Sequence, residues 1–328
     1  MTLNIIDGKI QLTMVTNSIG LIEYFSDPLN TYLKLEGLYI MGAVDNVIQG
    51  LITEKIEKLE QILESDIFHY YGRLDDEVMQ PFISMMDDLS EDDNKRDKLS
   101  VILTTRGGSA LAVERMVNII RHHYDTVDFY VPEYAYSAGT IFCMSGDSIH
   151  MTYASVLGPI DPQVKSKDGN WVPALGYLDK INELIAKEKA NILSPVEILF
   201  LRDFDLAELH TYEQARDLTV DLLKKWLVNY KFKTWTTHRS NGQPVSLEEK
   251  NKRAESIAKE LGNNQRWLSH SRPIGLEQLQ NLKLLIDDYG QNKPLKNTLD
   301  EFYRLSKDYI IKNGVIICMQ TRLGGAMK

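Results

Sequence analysis

Short apolar runs alternate with stretches of helical spacing between residues 66 and 164. DIFHYYG (66–72) is aromatic-rich and strand-like. DDEVMQPFISMMDDL follows with helical spacing and Asp75 as its N-cap. LSVILTT (99–105) is a continuous β-branched run, the signature of a strand buried on both faces of a parallel sheet. Residues 109–123 place Leu111, Val113, Met116, Val117 and Ile120 on one helical stripe. TVDFYV (126–131) is again a strand, SAGTIFCM (137–144) a short helix of small and apolar residues, and SIHMTYA (148–154) a third strand. Strands alternating with helices at this interval predict an α/β core with a parallel or mostly parallel sheet and right-handed crossovers.

The flanks read differently. In residues 1–50, KIQLTMV and KLEGLYIM are short strands, with turns at Asp27-Pro28 and Gly42. EKIEKLEQIL (54–63) is an amphipathic helix, and SEDDNKRDK (90–98) a solvated connector. Beyond Val164, KSKDGNW (165–171) is a polar turn and DKINELIAKEKANIL (179–193) a charged helix. Residues 212–230 carry an apolar helical stripe through Leu222, Leu223 and Trp226, and THRSNGQP (237–244) is a loop. Residues 246–262 form a helix with Ser246 as N-cap, Glu249 three residues on and a closing Gly262. SRPIGLEQLQNLKLLID (271–287) is a turn and helix ending in a short strand, and the tail is a helix with a final strand. The expected division is an extension over 1–52, an α/β domain over 53–290 with a helical insertion at about 165–262, and a C-terminal helix and tail over 291–328.

Composition narrows the function classes. With 43% apolar and 25% charged residues the chain is an ordinary globular one. A net charge of −9 argues against nucleic acid or an anionic membrane surface as partner, since both need a basic footprint. No unbroken apolar run reaches membrane-spanning length, and the first residues lack the basic start and apolar stretch of a signal peptide, so no membrane anchor is expected. Two distant cysteines, Cys143 and Cys318, predict neither a disulfide framework nor a zinc site, and the cytoplasm is the expected compartment. No phosphate loop, paired-carboxylate or metal-ligand spacing stands out, so no metal and no cofactor is expected.

Candidate chemistry lies at the strand ends. A serine hydroxyl becomes a nucleophile when a base takes its proton and N–H groups receive the developing oxyanion. Ser137 follows a strand and begins a helix whose first residues, Ala138 and Gly139, leave room for a substrate. Gly107-Gly108 follows the preceding strand, where glycine lets backbone N–H groups turn toward a ligand. Singly, these are a tight turn and a helix cap. Separated by one helix and one strand, they make a combined signal for acyl transfer.

TTRGGSALAVERM, YAYSAGTIFCMSGDSIHM and ASVLGPIDPQV resemble the Clp-fold serine peptidases related to crotonase. The resemblance is strongest to the serine dehydrogenase proteinase group of the signal peptide peptidase A branch. It covers residues 66–165 well and 205–290 more weakly. It implies a Clp/crotonase-like spiral of βαβ units with a helical C-terminal part. Ser137 would be the nucleophile, with the oxyanion held by the N–H groups of Gly108 and Ala138. A substrate groove would run along Gly107, Ser109, Tyr136 and Asp161. The substrate would be a peptide or protein, membrane-proximal ones included, and the chain a homo-oligomer, as a trimer, tetramer or hexamer-type ring.

The base is less determined. In the Clp proteolytic subunit the histidine lies in the segment matching LGPIDPQ, which here holds Asp161 and Gln163 but no histidine. The signal peptide peptidase branch uses a lysine, which burial must keep partly neutral. Lys189, 52 residues after Ser137, lies in a loosely similar segment, with Lys187 and Lys180 as alternatives. His270 in WLSHSRPI is the other candidate, in the segment where the Clp subunit places its acid, and a histidine needs no tuning to act near neutral pH. Ser-Lys and Ser-His catalysis both stay open. The competing readings are a catalytically silent scaffold or peptide-binding module, and a crotonase-like acyl-CoA enzyme.

Overall fold

The computed structural model describes residues 2–6, 9–13, 33–35, 38–40, 43–165, 171–202, 205–238 and 241–328. The turns expected at Asp27-Pro28 and Gly42 fall outside these residues, as do nearly all of the 165–171 turn and the middle of the 237–244 loop. Two units divide the chain at Ile52 and Thr53. The first holds two antiparallel hairpins, β1 (Thr2–Ile6) with β2 (Lys9–Thr13) and β3 (Leu33–Leu35) with β4 (Leu38–Ile40). Helix α1 (Ala43–Leu63) begins eleven residues ahead of the predicted 54–63 stretch.

In the second unit the expected alternation runs β5 (Asp66–Tyr71), α2 (Met79–Glu91), β6 (Lys98–Thr104), α3 (Ala110–His123), β7 (Thr126–Tyr130), β8 (Tyr134–Ala135), α4 (Ala138–Cys143), β9 (Ser148–Met151) and β10 (Val156–Leu157). The insertion then contributes the hairpin β11 (Gln163–Lys165) and β12 (Trp171–Pro173), and helices α5 (Ala174–Lys189), α6 (Pro195–Arg202), α7 (Leu206–Trp226) and α8 (Leu247–Leu261). The chain closes with α9 (Asn264–Trp267), β13 (Ile274–Gly275), α10 (Leu276–Asn281), β14 (Asp287–Asp288), α11 (Lys293–Lys312), β15 (Cys318–Thr321) and β16 (Gly324–Met327).

The main sheet has the order β14-β9-β7-β6-β5-β15-β16. Strands β5, β6, β7, β9 and β14 are parallel, while β15 and β16 are antiparallel additions beside β5. The segment Cys318–Met327 thus extends this sheet by two strands. Side chains alternate across the strands. Phe68, Tyr70, Val101, Leu103 and Phe129 face α2, α3 and α4, with Phe68 edge-on to Phe82 at 5.3 Å and Phe129 edge-on to Phe142 at 4.8 Å. His69 points to the opposite face, edge-on to Phe302 of α11 at 5.1 Å. Each fully buried large apolar side chain of this kind contributes about 1.5–3 kcal/mol.

Local capping follows sequence chemistry with two exceptions. Ser246 and Glu249 form the reciprocal capping box expected of them, and Ser109 caps α3 by accepting from the Ala112 N–H at 3.2 Å. Asp75 makes no side-chain cap, because its carboxylate pairs with Arg73 at 2.5 Å. Gly262 ends α8 with φ −84°, so its role there is not a left-handed one.

A second, three-stranded sheet of order β13-β10-β8 crosses the strand ends. β8 runs parallel to β10 and β13 antiparallel to it. A parallel bridge from Thr105 to Ala135 ties this sheet to the end of β6. Thr105, Ala135, Leu157 and Ile274 therefore form one row across four chain segments. This row collects residues that lie up to 169 positions apart in the sequence.

Candidate active site

The glycine loop is held from behind. Leu74 donates to the Gly107 carbonyl at 3.0 Å, and its own carbonyl accepts from the Ser109 N–H at 2.8 Å, making a parallel bridge opposite Gly108. In such a bridge the groups of neighbouring residues point alternately to the two sides. With Gly107 C=O and Ser109 N–H turned to Leu74, the Gly108 N–H faces away from it, and among the described residues it donates to no protein acceptor. Both glycines are required by geometry. Gly107 has φ 102°, and a Cβ on it would lie 2.9 Å from the Ser137 Cβ. Gly108 has φ 155°, and a Cβ there would overlap the Leu74 carbonyl. The Thr105 hydroxyl accepts from the Gly107 N–H at 3.0 Å and completes the clamp.

Ser137 sits between β8 and α4 with φ 51° and ψ −117°. A residue with a Cβ in this region costs on the order of 1–3 kcal/mol, which the surrounding contacts must hold. Tyr136 donates to the Thr105 carbonyl at 3.0 Å, and Gly139 donates to the Tyr136 carbonyl at 2.8 Å, pinning the bend on both sides. Ala138, the first residue of α4, has no intrahelical acceptor for its N–H. Inside α4, Thr140 is fully buried. Its hydroxyl accepts from the Gly158 N–H at 2.9 Å and reaches the Ala135 carbonyl at 2.8 Å, so it links the Ser137 segment to the segment carrying Asp161.

The same second sheet assembles the rest. Leu157 pairs with Ile274 in antiparallel register, and continuing that register by four residues aligns Asp161 with His270. The two are hydrogen-bonded, His270 Nδ1 to Asp161 Oδ1 at 2.7 Å. Asp161 is 2% exposed, whereas the His270 side chain keeps 24% of its surface. His270, Ser137, Gly107, Gly108 and Ser109 line one cavity of about 770 Å³, within the usual range for ligand sites. Its apolar lining includes Leu111, Ile141, Ile160, Ala215 and Leu218. Helix α7 of the insertion supplies the last two.

Three residues singled out from sequence lie elsewhere. Asp161 is behind His270 rather than on the cavity wall. Tyr136 turns its ring onto Gly158, whose absent Cβ leaves it space, and Tyr134 lines the cavity instead. Lys189 is exposed at the end of α5 and does not line the cavity. Of its alternatives, Lys187 is engaged by Glu183 and Glu197, and Lys180 by Glu183. Four other histidines are engaged elsewhere. His69 is buried beneath α11, and burial pushes it down to about 4. Burial likewise lowers His150, which stacks on Tyr130 at 4.3 Å. His123 pairs with Asp87, and His238 with Glu249. The pairing of Asp161 with His270 was not legible in the sequence. Its one signal is an acid and a histidine placed symmetrically about two short β segments, and the pairing of those segments has no local mark.

A spiral of βαβ units, a small sheet across its strand ends, and a serine opening a short helix beside a glycine turn make up a ClpP-like α/β fold. Residues 87–245 match the family of ClpP-like SDH-type serine proteinases. The match takes in the glycine loop, Ser137 and Asp161, and stops before His270. Two uncharacterized proteins of Methanocaldococcus jannaschii are similar over shorter stretches. One is 35% identical over 66 residues, 20% of this chain and 23% of the relative, and the other 37% identical over 70 residues, 21% and 24% respectively. The chain thus spans about a quarter of the length of these relatives. Among the described residues no helix is long and apolar enough to cross a membrane, and no cluster of metal-ligating side chains occurs.

Proposed function

We propose that this chain is a serine peptidase acting through an acyl-enzyme on Ser137, with His270 as general base and Asp161 as its orienting acid. The observation that carries this reading is the 2.7 Å bond between the buried Asp161 and His270, on the wall of the cavity that Ser137 lines. A carboxylate on Nδ1 holds the imidazole in the tautomer whose Nε2 is free to accept a proton. Among the described residues Ser137 makes no hydrogen bond to His270, and such contacts commonly tighten only when substrate is bound. His270 would take the Ser137 proton as the hydroxyl oxygen attacks the scissile carbonyl, then return it to the leaving amine. The Gly108 and Ala138 N–H groups would receive the oxyanion. Water activated by the same histidine would then release the acyl group and regenerate the serine. Self-association belongs to this reading by the family resemblance.

A fluorophosphonate probe tests the nucleophile. Wild-type protein should become labelled at Ser137 and Ser137→Ala should not. Complete absence of labelling in the wild type would turn the reading toward a silent scaffold or peptide-binding module.

Thr140 is a positioning residue in this scheme. Thr140→Val removes the hydroxyl that links the nucleophile helix to the Asp161 segment while nearly conserving shape. It should lower kcat by up to about 100-fold, the scale of a misplacement near 1 Å, with KM little changed. Thr140→Ser should restore most of the rate. Equal loss in kcat with Ser and Val would remove the hydroxyl from this role.

A further inference from the structure

The cavity lining is charged as well as apolar. It includes two guanidiniums, Arg73 and Arg106, and one carboxylate, Asp75. Arg73 is already occupied, donating through Nε to Asp75 at 2.5 Å. Arg106 is exposed, and among the described residues it takes part in no ion pair or hydrogen bond. Glu133 lies within electrostatic reach of it but is claimed by others, accepting from Lys307 at 2.5 Å and from the Tyr303 hydroxyl at 2.8 Å. Burial alone would raise the Glu133 carboxyl, yet these bonds hold it below the usual carboxylate range, so it stays an anion committed to Lys307.

The position of Arg106 is fixed from both sides. Thr105 before it is locked into the row with Ala135, and Gly107 after it is held by the Thr105 hydroxyl. The guanidinium lies over the Tyr134 ring at 5.8 Å, and that ring also lines the cavity. A planar cation with free donors on a ligand-cavity wall is suited to a carboxylate, which it can bind in a bidentate fork. The chain as a whole carries a net charge of −9, which repels acidic substrates, so a local cation at the cavity mouth has a disproportionate effect on which peptides dwell there.

We infer that Arg106 is a specificity-determining residue and that the preferred substrates are acidic peptides presenting a carboxylate near the scissile bond. This rests on the peptidase reading of the site. Arg106 is two residues from Gly108, so their Cα atoms are at most about 7.6 Å apart, and an extended peptide advances about 3.3 Å per residue. The recognised carboxylate therefore lies within a few residues of the bond that is cut. An Asp or Glu side chain and the free C-terminus of a short peptide offer the same group.

Fluorogenic peptides carrying Glu, Gln or Lys at each position flanking the cleaved bond, each with a free or an amidated C-terminus, separate these sources. Wild-type kcat/KM should favour Glu over Gln at one position by about 10-fold or more, as expected for a hydrogen bond to a charged group. A preference that follows the free terminus instead would identify the main-chain carboxylate. In either case the preference should weaken in Arg106→Gln, favour Lys in Arg106→Glu, and shrink with added salt. Equal use of Glu, Gln and Lys peptides, or an acidic preference that persists in Arg106→Gln, would overturn the inference. Fluorophosphonate labelling of the wild type is read separately. If labelling occurs and no acidic preference does, only the role of Arg106 fails; if labelling is absent, the peptidase reading fails first.

Discussion

His270→Ala is expected to lower kcat by about 10⁶-fold, the scale seen when the histidine of a serine–histidine–acid triad is removed. Asp161→Asn should be less severe, at about 10⁴-fold. The amide can keep a hydrogen bond to Nδ1, but it favours the wrong tautomer and does not stabilise the imidazolium. The double variant His270→Ala/Asp161→Asn should be little worse than His270→Ala alone, because the pair acts as a unit. Steady-state hydrolysis and the rate of fluorophosphonate labelling both measure this. Lys189→Ala is the discriminating comparison, since that side chain is exposed on α5 and outside the cavity lining. Loss of activity in Lys189→Ala with retention in His270→Ala would assign the base to the lysine.

Gly108→Ala should cost about 10²–10³ in kcat, comparable to losing one oxyanion donor. The added Cβ cannot coexist with the Leu74 carbonyl, so the loop must shift and carry the Gly108 N–H with it. Leu74 is also anchored in the hydrophobic core, so the fold should survive the loop's shift with a modest fall in melting temperature. A variant that melts near wild type and hydrolyses at the wild-type rate would exclude Gly108 from the oxyanion hole.

What could be read from sequence and what could not divides along physical lines. The core strands announce themselves because a strand buried on both faces must be apolar throughout, as residues 99–105 are, and helices such as 246–262 carry their own caps. The glycine loop and Ser137 were legible for a related reason. Each is a local solution to a local problem, a backbone that must turn at a strand end. Asp161 and His270 solve a problem that is not local. Only the antiparallel pairing of Val156 and Leu157 with Ile274 and Gly275 brings them together. Two-residue strands leave almost no periodic signal. The lysines drew attention through a segment likeness, but helix α5 turns them to solvent and to its own glutamates.

The same two-residue pairing bears on how the protein comes into being. Synthesis proceeds at about 5–20 residues per second, and His270 follows Ser137 by 133 positions. The nucleophile and its glycine loop can therefore assemble on the ribosome several seconds before the histidine has been made. With His270 as the proposed base, Ser137 would lack activation during that interval. Activity in the proposed scheme arrives only when β13 docks on β10, a late and long-range folding event. In that scheme the order of synthesis by itself keeps the nascent chain from its own chemistry.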